Sequence, residues 1–248
     1  LLVSCRKTTA VPGFLCGFTC GAIFFGISFS WALQADAYRL LHHAILHTYL
    51  GCYIGVFGLL YGLIGRKSGD TAGLLTAPFI WIVIEYARSN LGFLSYPTTL
   101  LGHSQYQTVA VTQIAAFAGV YGVSFLIVLV NSGLTALIFM AASCFRARSA
   151  TPRPPGRPHG MWAVSAISIM ALAATTCYGL WISQQEFEGT PIRISILQGN
   201  ISQELKWDPR HAAKIMGTYE RLSRAAAEEN PKIIIWPESA TPGSVNEN

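Results

Sequence analysis

Lys232-Ile233-Ile234-Ile235-Trp236-Pro237-Glu238-Ser239 is the stretch on which the reading of this chain turns. Three consecutive β-branched apolar residues, closed by a proline, have the composition of a buried strand. A carboxylate just past the C-terminal end of such a strand stands where α/β folds place their chemistry. Glu238 is therefore the candidate catalytic residue, acting as a general base if partial burial raises its pKa, with apolar Trp236 and rigid Pro237 as its neighbours. A solvated loop carboxylate is the alternative for the same dipeptide. Working upstream, Asn230-Pro231 ends a segment in which Ile215, Tyr219, Leu222 and Ala226 recur at helical spacing. Asp208-Pro209 supplies a cap and a first-turn proline for that helix. Further upstream, Ile192-Arg193-Ile194-Ser195-Ile196-Leu197 alternates as a strand before Gln198-Gly199-Asn200 breaks it. The order is strand, loop, helix, strand, and the two strands most simply lie parallel. Residues 186–248 thus read as the first β-α-β portion of an α/β domain. A parallel sheet must be covered on both faces, which so short a segment cannot do. The chain also begins without Met and stops soon after Glu238, so the sequence is expected to be a fragment, cut at both ends and inactive alone.

Residues 1–185 have a different composition. Hydrophobic residues make up 52% of the whole chain and charged ones only 12%, with a mean hydropathy of +0.41. The charges crowd into short blocks. A crossing helix needs about 20 mainly apolar residues. Five stretches qualify: 11–33, 44–64, 73–94, 109–142 and 161–182. The fourth is longer than one crossing needs and is expected to tilt or to extend beyond the bilayer. The fold class is a polytopic α-helical membrane domain followed by the β-α-β portion.

Basic residues orient the spans. Arg6 and Lys7 precede the first, Arg66 and Lys67 follow the second, and Arg146, Arg148, Arg153 and Arg157 precede the fifth. The alternate loops hold Arg39 as their one Lys or Arg. Lys and Arg mark cytoplasmic loops, so five crossings deliver everything after about residue 183 to the opposite side, which in a bacterium is the periplasmic or outer face. The net charge of +5 is explained by this topology, and no basic stripe with interleaved aromatics points to nucleic acid. Thr151-Pro152-Arg153-Pro154-Pro155-Gly156-Arg157-Pro158 reads as a non-helical linker.

Glu85 and Arg88 share a helix face near the outer end of the third span. Ionisable groups at membrane depth pair with each other or line a wet cavity. The two readings are a structural ion pair and a polar wall where a lipid head group enters. Trp207 lies in Lys206-Trp207-Asp208, a polar loop, and fits equally an interfacial anchor or a cover over an acyl chain. His42, His43 and His47 read as interfacial histidines. The six cysteines lie in or beside the spans and read as small apolar residues; no metal site and no cofactor is expected.

The chain resembles bacterial apolipoprotein N-acyltransferases, which join a multi-span membrane domain to a nitrilase-like (carbon–nitrogen hydrolase) αββα domain. The resemblance rests on Glu85-Tyr86-Ala87-Arg88, Tyr96-Pro97, Gly102-His103-Ser104-Gln105, the run from Gly119 to Phe125 with Asn131, Leu197-Gln198-Gly199-Asn200, Leu205-Lys206-Trp207-Asp208 and Ile235-Trp236-Pro237-Glu238-Ser239. Their order and spacing cover most of the chain. The family implies transfer of an acyl chain from a phospholipid to the α-amino group of a lipoprotein's lipidated N-terminal Cys, through a thioester on a Cys assisted by a Glu and a Lys. Only the Glu carries over, onto Glu238; the Cys and Lys are expected beyond Asn248, and the family's first spans are expected to be missing. Trp207 matches the family's Trp, implying a role in the periplasmic site or its loops. Trp236, Glu85 and Arg88 are the remaining candidate substrate-binding residues. Thr98 and His103 stand where Trp and Tyr are expected. The implied partners are a phospholipid donor and a lipoprotein acceptor, and the implied location is the bacterial inner membrane. A membrane-tethered nitrilase-type amidase and a non-enzymatic transporter or scaffold are the alternatives.

Overall fold

The computed structural model describes residues 1–35, 38–149, 159–186, 189–206, 208–238 and 240–241. The chain divides into two compact units, Leu1–Gln185 and Glu186–Asn248. The proline-rich linker at 151–158, Trp207 and Ser239 lie outside the described residues.

The first unit is helical. Its long helices are α1 (Ala10–Ser28), α2 (Leu40–Ser68), α3 (Asp70–Asn90), α5 (Ala115–Ser149) and α6 (His159–Ser183), with a single turn α4 (Val109–Thr112) before α5. Among the described residues four helices are long and apolar enough to cross a membrane: α1, α2, α5 through Phe145, and α6. This unit is a polytopic helical membrane domain. The third expected span forms as α3 but stands outside that group of four; its 21 residues include Asp70, Glu85 and Arg88. Its polar residues are turned inward: Glu85 and Arg88 are both buried. The fourth expected span does not run unbroken. Gly119 adopts φ +60°, a left-handed conformation open to glycine, and interrupts α5. The separate turn α4 takes up the first residues of that stretch, and Ala115–Phe145 remains a 31-residue candidate span.

Helices in a bilayer gain no hydrophobic advantage from associating, so close packing of small residues must hold them. Helices α1 and α2 meet this way. Gly13 and Gly17 face Gly58, and Gly21 faces Gly51 and Ile54, an order that makes the pair antiparallel. Polar contacts join α5 to α6, where Ser165 Oγ donates to the Gly133 carbonyl at 3.1 Å and Ser168 Oγ to that of Leu129 at 2.7 Å.

One end of the unit gathers two of the basic blocks. Arg6 and Lys7 both reach the Asp70 carboxylate, at 2.6 and 3.4 Å, beside Arg66 and Lys67 in the last turn of α2. The Arg6 guanidinium also lies 4.2 Å from the centre of the Phe139 ring, and Gly160 of α6 abuts Thr71. The carboxylate beside it raises the Arg6 pKa.

The second unit contains β1 (Ile194–Ile196), the turn α7 (Gln203–Lys206), α8 (Ala212–Glu228) and β2 (Ile233–Ile235). The strands pair parallel, with Ile194 opposite Ile233 and Ile196 opposite Ile235. Flanking bonds from Lys232 N to the Arg193 carbonyl (2.8 Å) and from Leu197 N to that of Ile235 (2.9 Å) extend the pairing. Ile215 and Tyr219 of α8 bury themselves against Trp236, Ile201 and Ala240. Ile196 remains 77% exposed.

Asp208 caps a 3-10 turn (Pro209–His211) rather than α8 itself, accepting from Arg210 N at 3.0 Å. Its side chain also takes the Arg210 guanidinium, and these bonds lower its pKa from 3.8 to about 2. Because the folded value is the lower one, the stability it adds is present above pH ~4 and is lost as pH falls through ~2. Carboxyl-detected NMR titration should give Asp208 a midpoint near 2; Arg210→Gln should move it up toward 3.8, and an unmoved midpoint would remove the guanidinium as the cause.

Candidate functional site

Glu238 follows the C-terminal end of β2 by three residues and is exposed. The described residues of its unit do not supply the partial burial expected for it. Its position is set by its neighbours. The Trp236 ring stacks on Tyr219 with centroids 5.1 Å apart, and Trp236 Nε1 donates to Ser223 Oγ at 3.0 Å. That fastens the strand end to α8. Lys206 Nζ donates to the Glu238 main-chain carbonyl at 3.3 Å, which brings the turn before Trp207 onto the same strand end. Trp236 therefore faces the helix, where it orients the chain leading to Glu238.

Glu85 and Arg88 sit on α3 in the first unit, 4% and 3% exposed. They form no ion pair within 4 Å among the described residues, so the structural-pair reading is not realised. Glu85 Oε1 accepts from Leu101 N at 2.7 Å, while Arg88 Nη2 donates to the Thr99 carbonyl at 3.4 Å. Arg88 lies 5.6 Å from the centre of the Phe25 ring. Both side chains hold down the segment after α3. Further bonds secure it: Tyr96 N to the Arg88 carbonyl (2.9 Å), Gly102 N to Ser124 Oγ (2.8 Å) and Tyr49 OH to the Leu94 carbonyl (2.6 Å).

Glu85 and Arg88 also line a mostly apolar cavity of about 480 Å³ with Phe24, Ile54, Trp81 and His103. Glu85 Oε2, Arg88 Nη1 and Trp81 Nε1 are buried there without a hydrogen-bond partner. A buried charged group left with an unused polar atom is costly. Sequence reading singled out the two charges and missed Trp81, although the signal was present: Trp81, Glu85 and Arg88 follow i, i+4, i+7 on one helix face. Ser124 and Tyr49 were unreadable, because their bonds run to main-chain atoms distant in sequence.

A family model for the apolipoprotein N-acyltransferase N-terminal domain matches residues 1–133. The chain belongs to the apolipoprotein N-acyltransferase family. Relatives named apolipoprotein N-acyltransferase align beyond that domain. The protein of Geobacter metallireducens is 32% identical over 249 residues, covering 98% of this chain and 46% of its own length. That of Nitrosomonas europaea is 29% identical over 250 residues, or 96% of this chain and 44% of the relative. For Haemophilus ducreyi the figures are 30% over 173 residues, 68% and 30%. The chain thus spans less than half the length of these curated relatives. Both units fall within the longer alignments, and the relatives are bacterial.

Proposed function

We propose that this chain is part of an enzyme that transfers an acyl chain from a phospholipid to the N-terminal α-amino group of a lipoprotein's diacylglyceryl-cysteine. The observation that carries the reading is the alignment of nearly the whole chain, through both units, with relatives bearing that name. In this reading the second unit opens a nitrilase-like catalytic domain on the periplasmic side of the inner membrane, and α3 is the third of five crossings, beside the four helices long and apolar enough by themselves. The clustering of Arg6, Lys7, Arg66 and Lys67 around Asp70 at one end of the bundle supports that orientation.

Glu238 is the general base. It takes the proton from the thiol that attacks the phospholipid ester and returns it to the departing oxygen, so that a thioester forms and a lysophospholipid alcohol is released. It then assists the lipoprotein amine that attacks the thioester, forming the amide and freeing the thiol. Trp236 holds the strand end that carries Glu238, and Trp207 borders the acyl site. Glu85 and Arg88 form the lipid-facing polar wall of the membrane domain. Both substrates are lipid-anchored, so a site suspended over the bilayer confines their search to a surface.

The test is complementation. The full-length gene, recovered by extending the reading frame that encodes this chain, is expressed in cells depleted of their own lipoprotein N-acyltransferase, and lipoprotein N-termini are read by mass spectrometry. Restoration of the third acyl chain is expected. Diacylated lipoproteins persisting while the protein is folded and inserted would move a membrane-tethered amidase ahead.

A further inference from the structure

Glu238 is exposed, while the main chain on both sides of it is held. Before it, the Trp236 ring stacks on Tyr219 with planes 24° apart, and Trp236 Nε1 donates to Ser223 Oγ at 3.0 Å. After it, Ala240 is buried in one cluster with Ile215 and Tyr219, and its N donates to the Pro237 carbonyl at 3.2 Å. At Glu238 itself, Lys206 Nζ donates to the main-chain carbonyl at 3.3 Å. Tyr219 is the shared support. A Cβ at Gly199 would stand 2.8 Å from its hydroxyl, so the loop after β1 closes on the same residue. Tyr219 and Ser223 stand at i and i+4, one above the other on a single face of α8.

We infer that Ser223 and Tyr219 are positioning residues for Glu238, acting through the Trp236 indole. The stack sets the plane of the indole, and a directional N–H···O bond also sets its rotation within that plane. Pro237 is the single residue between Trp236 and Glu238, and its ring locks φ at about −65°. Few free torsions therefore separate the indole from the main chain of Glu238, and a shift of one is passed to the other. A general base must come within about 2.6–3.2 Å of the proton donor. A displacement of roughly 1 Å can cost 10²-fold in rate. The inference rests on the reading of Glu238 as the base and adds the residues that aim it.

The experiment uses the full-length protein, purified in detergent, with a phospholipid donor and a diacylated lipopeptide acceptor. It reads kcat and KM, with folding followed by circular dichroism. Ser223→Ala leaves the indole N–H without its partner. It should lower kcat about 10–10²-fold, the scale of a small misplacement, with donor KM unchanged and the protein folded. Ser223→Thr keeps the hydroxyl and should restore kcat. Trp236→Phe keeps a ring on Tyr219 and lacks the donor; it should match Ser223→Ala, and the two together should cost no more than either. Tyr219→Phe should retain kcat, whereas Tyr219→Leu, which removes the stack, should lower it. In a Glu238→Gln background Ser223→Ala should have no further effect, because a residue that acts through the base has nothing left to aim. Wild-type kcat in Ser223→Ala or Tyr219→Leu, or a loss in Ser223→Ala that multiplies with that of Glu238→Gln, overturns the inference. If Ser223→Ala fails to fold, Trp236→Phe is taken through the same cycle and decides. An impaired Glu238→Gln beside a fully active Ser223→Ala counts against this inference alone. Full activity in Glu238→Gln removes the base, and the inference falls with it.

Discussion

Glu238→Gln is expected to reduce lipoprotein N-acylation by about 10²–10⁴-fold, the usual contribution of a positioned general base. The substitution keeps size and shape and removes the proton acceptor. Its structural cost should be small, because Glu238 is exposed and the bond that reaches it from Lys206 ends on the main-chain carbonyl. Protein abundance in the membrane should therefore match wild type while diacylated lipoprotein accumulates. Measuring both in the same depleted cells separates catalysis from folding. Acylation at the wild-type level in Glu238→Gln would remove this residue from the reaction and leave it a loop carboxylate.

Gly17→Ala should cost about 1–3 kcal/mol of stability, the range for forcing extra volume into a packed interior, although it adds one methyl group. A Cβ at Gly17 would strike the main-chain carbonyl of Ile54, whose carbon would be 2.9 Å away. Main chain cannot rotate aside as a side chain can, so α1 and α2 must separate, and with them the glycine row that lets the helices touch. Gly26 lies on the same helix, where an added Cβ meets the His47 ring at 3.8 Å, an ordinary contact. Gly26→Ala should be neutral or slightly stabilising, since alanine is the better helix former by about 1 kcal/mol. Thermal unfolding in detergent, followed by circular dichroism, compares the two. Equal melting temperatures would show that the close approach at Gly17 does not hold the pair together.

Much of the architecture was legible because it rests on local rules. Apolar length marks helices able to cross a bilayer, and α1, α2 and α6 formed within a few residues of the expected 11–33, 44–64 and 161–182. Alternation and β-branching marked Ile194–Ile196 and Ile233–Ile235, and the helical spacing of Ile215 and Tyr219 identified the buried face of α8. The break at Gly119 was not legible. The apolar run continues through it, and a glycine inside a helical pattern does not announce a left-handed φ.

The candidate sites divide along the same line. Residue type and spacing alone brought out Glu238 after a strand, and Glu85 with Arg88 on one face, since these are properties of neighbours along the chain. Tertiary structure alone decided what those groups do with their polar atoms. Arg88 turns to Thr99 and Phe25, Glu85 to Leu101, and the two leave each other unpaired. Trp236 leans onto Tyr219 and Ser223. A hydrogen bond is satisfied by whichever partner the packed fold brings within about 3 Å, and sequence distance carries no information about that partner. Composition could mark charges inside an apolar helix; the packing of α1, α2 and α3 around a cavity left Glu85 Oε2 and Arg88 Nη1 without a hydrogen-bond partner.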